Sequence, residues 1–171
     1  MSTWLYGMYI FIPLIVSNVL HMLVVKKAWF NGLVIPVSSS LFGHNKTWRG
    51  LLLVPLLNAF FFAGLNVFLI SFSWGASLGY GFLLGLAYML FELPNSFLKR
   101  RLGVPPGARA RRHAFWFAVL DKSDSAFGVV LLSAFLFGFG VQQFLVLFLT
   151  AVAVHAFFSG LLVLLGIKKN F

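Results

Sequence analysis

Five stretches of the chain are continuously apolar and separated by polar or glycine-containing breaks. They run about Trp4–Val25, Gly50–Phe72, Ala76–Leu98, Ala114–Phe137 and Gln142–Ile167. Each is long enough to cross a bilayer as a helix, which takes about 20 mostly apolar residues. None has the short alternating pattern of a strand or the polar face of a surface helix. The pattern therefore predicts an all-α integral membrane protein with five transmembrane helices in one domain, residues 1–171.

The breaks are of two kinds. Ser73-Trp74-Gly75 and Gly138–Val141 are short and uncharged. The segments at about 26–49 and 99–113 are longer and basic: the first holds Lys26, Lys27, Lys46 and Arg49, the second Lys99, Arg100, Arg101, Arg109, Arg111 and Arg112. Cationic loops stay in the cytoplasm. With five spans the N-terminus lies outside and the C-terminus inside, and the Lys168-Lys169 tail agrees. A four-span arrangement would strand one group of cations outside. Residues 1–9 carry no cation, so the first apolar run reads as a retained span, not a cleaved signal.

Composition strengthens the membrane reading. Of 171 residues, 61% are hydrophobic and 9% charged, where soluble domains have roughly 25% charged. The mean hydropathy is +0.98. These values exclude an ordinary soluble globule, a disordered chain and a coiled coil, and they argue against a soluble nucleic-acid binder despite the net charge of +10. Cysteine is absent, which removes disulfides and thiolate metal sites.

Only three acids face thirteen cations, and all three fall inside predicted spans near the basic end. Carboxylates in a span are expensive and usually paired or functional. Asp121 and Asp124 are three apart and share a helix face. Two like charges this close need compensation. A Mg²⁺ ion is one solution, since it is held by one or two carboxylates together with substrate phosphates. A structural pair neutralised by Lys122 and loop arginines, a proton relay and an ion path are the alternatives. Glu92 lies two turns before the end of the third span, followed by Pro94, which frees a backbone carbonyl and can kink a helix, then by Asn95, Ser96, Lys99 and Arg100. Pairing of Glu92 with one of these cations is the plain structural reading. Lys46, Thr47 and Arg49 stand at the start of the second span, where a helix N-terminus and cations suit phosphate oxygens; a basic topogenic cap with an interfacial Trp48 explains them equally well. His155 reads as a hydrogen-bonded core histidine.

In order, the segments GHNKTWRG (43–50), LPNSFLKRR-LGVPPG (93–107) and LDKSDS (120–125) resemble the CDP-archaeol synthase family, relatives of the CDP-diacylglycerol synthases. The resemblance covers half the chain. Its specific part is Ser96, Lys99 and Arg100 followed by two aspartates three apart. Lys122 and Ser123 between the aspartates, and His44 beside the first motif, are features whose bearing on substrate choice is open. The resemblance implies a Mg²⁺-dependent cytidylyltransferase that transfers CMP from CTP to an anionic lipid phosphate, giving CDP-lipid and pyrophosphate. The acceptor would be a dialkyl (archaeal) glycerol phosphate or, alternatively, phosphatidic acid. It implies Asp121 and Asp124 as metal ligands, and Lys46, Arg49, Lys99 and Arg100 on CTP phosphates. Thr47, Asn95 and Ser96 would supply neutral hydrogen bonds. Arg101, Arg109, Arg111 and Arg112 would draw the lipid headgroup, and the active site would face the cytoplasm from the cell membrane. A CTP-dependent lipid kinase and a small transporter are the competing functions. A homodimer is compatible with so small a chain, and no nucleic acid is expected.

Overall fold

The computed structural model describes residues 2–69, 72–108 and 114–167. Arg109, Arg111, Arg112, Lys168 and Lys169, all expected on the basic side, lie outside the described residues.

Among the described residues five long helices form: α1 (Thr3–Lys26), α2 (Trp48–Leu69), α3 (Trp74–Arg101), α4 (Ala114–Phe137) and α5 (Val141–Leu164). Their ends fall within three residues of the apolar limits. Ser2 caps α1 and Ser73 caps α3 by accepting a backbone N–H in the first turn. The helix α3 continues through Pro94 to Arg101, so the basic triplet Lys99-Arg100-Arg101 is its last turn, where cations suit the helix dipole. At 24 residues, α1 is about 36 Å long at 1.5 Å per residue, more than the ~30 Å hydrocarbon core.

Four helices, α1, α2, α3 and α5, are long and apolar enough to cross a membrane. The fourth in order, α4, has the same length as α1 but carries Asp121, Lys122 and Asp124 in its first half. Many large side chains point outward, among them Phe60, Phe68, Phe135 and Phe157, each more than 60% exposed. An apolar exterior on this scale is that of a membrane-embedded protein.

Helices adjacent in sequence pack side by side, and α1 closes the ring against α5 while touching α3. The closest approach is between α2 and α3. A Cβ on Gly85 would lie 2.7 Å from Pro55 Cα, and one on Gly81 equally near Ala59 Cα. Small residues at i, i+4 let the two backbones touch, which is how helices associate where lipid removes the hydrophobic incentive. Asn58 Nδ2 donates across this seam to the Gly81 carbonyl at 2.6 Å.

The two ends of the bundle differ in chemistry. At one end the rings of Tyr6, Phe72, Tyr80, Phe137 and Phe139 pack against one another, mostly edge-on or tilted. The α1–α2 and α3–α4 loops meet at the opposite end. Gly43 makes this possible: its φ is +84° and a Cβ there would sit 2.9 Å from Pro106 Cγ, so the position demands glycine on both counts. The first loop also pairs with itself. Val37 N–H donates to Lys46 O at 2.8 Å and Trp48 N–H to Ile35 O at 2.9 Å, forming an isolated antiparallel bridge between Pro36 and Thr47. Lys46 is thereby held at a fixed place over the bundle.

Candidate active site

The site is assembled from the end of α3, the first half of α4 and the residue preceding the bridge, Lys46. Asn95, on α3 and only 9% exposed, is its centre. Its Nδ2 donates to Asp121 Oδ1 at 2.6 Å and to Asp124 Oδ2 at 3.0 Å. The i, i+3 spacing on α4 thus does what it implied: both carboxylates face one point. Lys99, one turn after Asn95, reaches both oxygens of Asp121 at 2.5 and 2.6 Å. Asp124 Oδ1 also accepts the N–H of Ser125 at 2.6 Å.

Glu92 lies one turn before Asn95 on the same side of α3. It is paired with Lys46, and both lie within electrostatic range of Asp124. Tyr88, one turn earlier, lies beside Glu92 and Ser125. All three acids of the chain therefore converge on one end of the bundle. The partner of Glu92 comes from the first loop and not from the cations that follow it on α3. The partner of Asp121 is Lys99 and not Lys122.

Lys122 turns the opposite way. It is buried, and its Nζ donates to Ser159 Oγ on α5 at 2.7 Å. A buried ammonium needs such a donor–acceptor contact, and here the contact fixes the rotation of α4 so that Asp121 and Asp124 face α3. Next to it, Ser125 Oγ and His155 Nδ1 are 3.4 Å apart; the hydrogen bond is as expected, but His155 is half-buried at the lining of a groove and not in the core.

The other sequence candidates divide. Ser96 Oγ donates to the Glu92 carbonyl at 2.9 Å, within its own helix. Thr47 is half-buried and held by the bridge. Arg49 is 6% exposed and donates from Nη1 to the Trp29 carbonyl at 3.0 Å. That contact restrains a turn in which Ala28 and Phe30 both take left-handed backbone, φ 53° and 56°, an uncommon conformation for residues with side chains. Arg49 therefore organises the loop that carries Lys46. Arg100 is separated from its neighbour Lys99 by the helical turn of 100° per residue and packs under the first loop, its Cδ 3.5 Å from the position of a Gly43 Cβ.

The donor set suits a hard divalent cation. Asp121 and Asp124 offer carboxylate oxygens towards one point. The third oxygen is Asn95 Oδ1, which is buried and has no hydrogen-bond partner. An orphaned buried carbonyl is costly, and a half-turn of the amide would present it in place of Nδ2. Among the described residues no three His, Cys, Asp or Glu side chains gather as a metal set, so an ion here would take its remaining ligands from water or substrate, as Mg²⁺ commonly does.

An apolar groove runs between α1, α4 and α5. Phe11, Leu14 and Val129 are among its apolar lining, and Asn18, Tyr88 and His155 are its polar lining; Tyr88 lies beside Glu92. Sequence reasoning did not single out Tyr88 or Asn95's bridging role; the signal that was present is the four-residue or near-four-residue step Tyr88, Glu92, Asn95, Lys99, which makes one stripe of α3 polar.

No family model, curated protein or solved structure matches the chain.

Proposed function

We propose that the protein is a membrane cytidylyltransferase that joins CTP to the phosphate of a glycerol-phosphate lipid. The observation that carries this reading is the convergence of Asp121, Asp124 and Asn95 with Lys99, Lys46 and Glu92 at the basic end of an apolar bundle. The remainder of the chain offers no carboxylate for other chemistry.

In this reading α4 also crosses the bilayer, which makes five spans, the N-terminus lies outside, and both basic loops, with the site between them, face the cytoplasm. Thirteen cations against three acids make a one-sided positive field that draws CTP and anionic lipid to the same surface.

The reaction needs little proton chemistry. A phosphate monoester is largely ionised near neutral pH, so the lipid phosphate oxygen attacks the α-phosphorus of CTP directly. A P–O bond forms to the lipid phosphate, the bond to the β-phosphate oxygen breaks, and pyrophosphate leaves with that electron pair. The work of the site is to bring two polyanions together and to neutralise charge on the leaving group. Asp121, Asp124 and Asn95 would hold Mg²⁺, which when bound supplies charge to phosphate oxygens. Lys99, which holds Asp121, would supply an ammonium to the nucleotide phosphates. Lys46, paired with Glu92, would offer a second ammonium to the phosphates, with the Thr47 hydroxyl as a neutral donor nearby. The lipid chains lie in a groove between spans that opens to the bilayer; the apolar groove between α1, α4 and α5 that Tyr88 and His155 help to line is a candidate.

Equilibrium binding of CTP to the purified protein tests the site before any turnover. Affinity is expected to require Mg²⁺ and to fall at least about tenfold in Asp121→Asn and in Asp124→Asn, the loss of one charge-assisted contact. Wild-type affinity in both variants would remove the metal assignment.

A further inference from the structure

The chain leaves α1 at Lys26 and enters α2 at Trp48, and large apolar side chains crowd the first part of the connection. Trp29 and Phe30 are each 58% exposed, Ile35 57% and Val34 44%. An exposed cluster of this kind marks a contact with something apolar.

The backbone keeps these residues at the level of the helix ends. Trp29 N–H donates to the Val24 carbonyl at 3.0 Å and Ala28 N–H to the Val25 carbonyl at 3.2 Å, with Ala28 in left-handed backbone. This is a Schellman end, in which glycine usually takes the left-handed place. It folds the chain back, so Trp29 stays beside the last turn of α1. At the other end of the segment the Ile35 carbonyl accepts the N–H of Trp48, the first residue of α2. Arg49, in the first turn of α2, holds the Trp29 carbonyl as well. Residues 29–35 are thus tied at both ends to the places where two spans leave the bilayer.

Charge completes the pattern. Lys26 and Lys27 are exposed at the same turn. Val25 and Trp48, 38% and 43% exposed, continue the apolar surface onto the exterior of the bundle. Tryptophan rings settle at the bilayer interface. Large apolar residues beside lysines are the composition of segments that lie in the headgroup layer, and anionic headgroups attract lysines held close to them. Continuity with the lipid-facing exterior makes the bilayer, and not a second protein, the occupant.

We propose that Trp29, Phe30, Val34 and Ile35 form an interfacial anchor. It inserts between headgroups and acyl chains at the basic end of the bundle, while Lys26 and Lys27 engage anionic headgroups. Its partner is the bilayer surface and not a substrate in a pocket. Through the bridge between Pro36 and Thr47 the anchor also sets the height of Lys46. None of this depends on the proposed reaction.

The chain has no cysteine, so a nitroxide on a single introduced cysteine reports depth. Phe30→Cys and Ile35→Cys are labelled in the full-length protein, with Asn45→Cys, an exposed polar position of the same loop, as the water-facing reference. In nanodiscs of phosphatidylcholine with phosphatidylglycerol, power saturation compares collisions with oxygen and with a polar nickel chelate. Oxygen is expected to exceed the chelate at the Phe30 and Ile35 sites, and the chelate to exceed oxygen at the Asn45 site. Adding Lys26→Gln and Lys27→Gln together is expected to shift the ratio at the Phe30 site towards that at the Asn45 site, and to shift it less in phosphatidylcholine alone. Three results would each overturn the proposal: chelate exceeding oxygen at both apolar sites, shielding of both from both reagents as by a protein partner, or a ratio at the Phe30 site that ignores the two lysines.

Discussion

At the scale of single residues, the site depends on which charge answers which. Glu92 and Lys46 are 46 positions apart and each about one-fifth exposed. Removing Glu92 leaves the Lys46 ammonium partly buried without its carboxylate, a loss of about 1–3 kcal/mol. Glu92→Ala is therefore expected to lower the thermal stability of the purified protein, and Lys46→Ala with Glu92→Ala together to restore part of it. A double variant no better than the single would show that the pair is not coupled. The same logic separates Lys122 from its neighbours. Lys122→Met removes the buried donor to Ser159 while keeping the length of the side chain. If Lys122 only sets the rotation of α4, CTP–Mg²⁺ affinity is expected to weaken severalfold and Lys122→Arg, which keeps charge and a donor, to recover part of it. The pairings themselves were not legible in the sequence. Spacing put Asp121 and Asp124 on one helix face, but a helical wheel carries no record of which neighbour that face meets. Glu92 thus had cations nearer in sequence than its actual partner, and Asp121 is answered by Lys99 although Lys122 is adjacent to it.

At the scale of elements, the helices were legible almost to their ends because an unbroken apolar run of this length has few other uses. Their contacts were not, because a bundle whose helices are apolar all round leaves no stripe to mark the inner face. The small residues mark it instead. Gly81 and Gly85 sit against α2 backbone, whereas a Cβ on Gly79 would meet nothing within 4 Å. Gly85→Leu is expected to destabilise the protein by more than about 2 kcal/mol through overpacking of the α2–α3 seam. Gly79→Leu should be tolerated. Thermal unfolding in detergent compares the two, and equal effects would contradict the packing described. Pro94 teaches a related lesson: α3 carries it without ending, and so extends the polar stripe Tyr88–Glu92–Asn95–Lys99 one turn further to the basic end.

At the scale of the whole molecule, the bundle has an aromatic end and a basic end, and the three acids lie at the second. The chain contains no cysteine, so single cysteines report sidedness without background. A cysteine at Asn45 in the first loop is expected to react with a membrane-impermeant maleimide only from the cytoplasmic side, and one at Gly140 only from the outside. The reverse pattern would invert the orientation proposed for the site. Orientation, nucleotide and lipid come together in the product formed. Purified protein is incubated with CTP labelled at the α-phosphate, Mg²⁺ and a glycerol-phosphate lipid, with ether and ester acceptors run in parallel. The account predicts that label enters a CDP-lipid with equimolar release of pyrophosphate for at least one acceptor, and that Asp121→Asn and Asp124→Asn abolish it. Release of CDP in place of pyrophosphate, no labelled lipid from either acceptor, or full activity in both aspartate variants would contradict it.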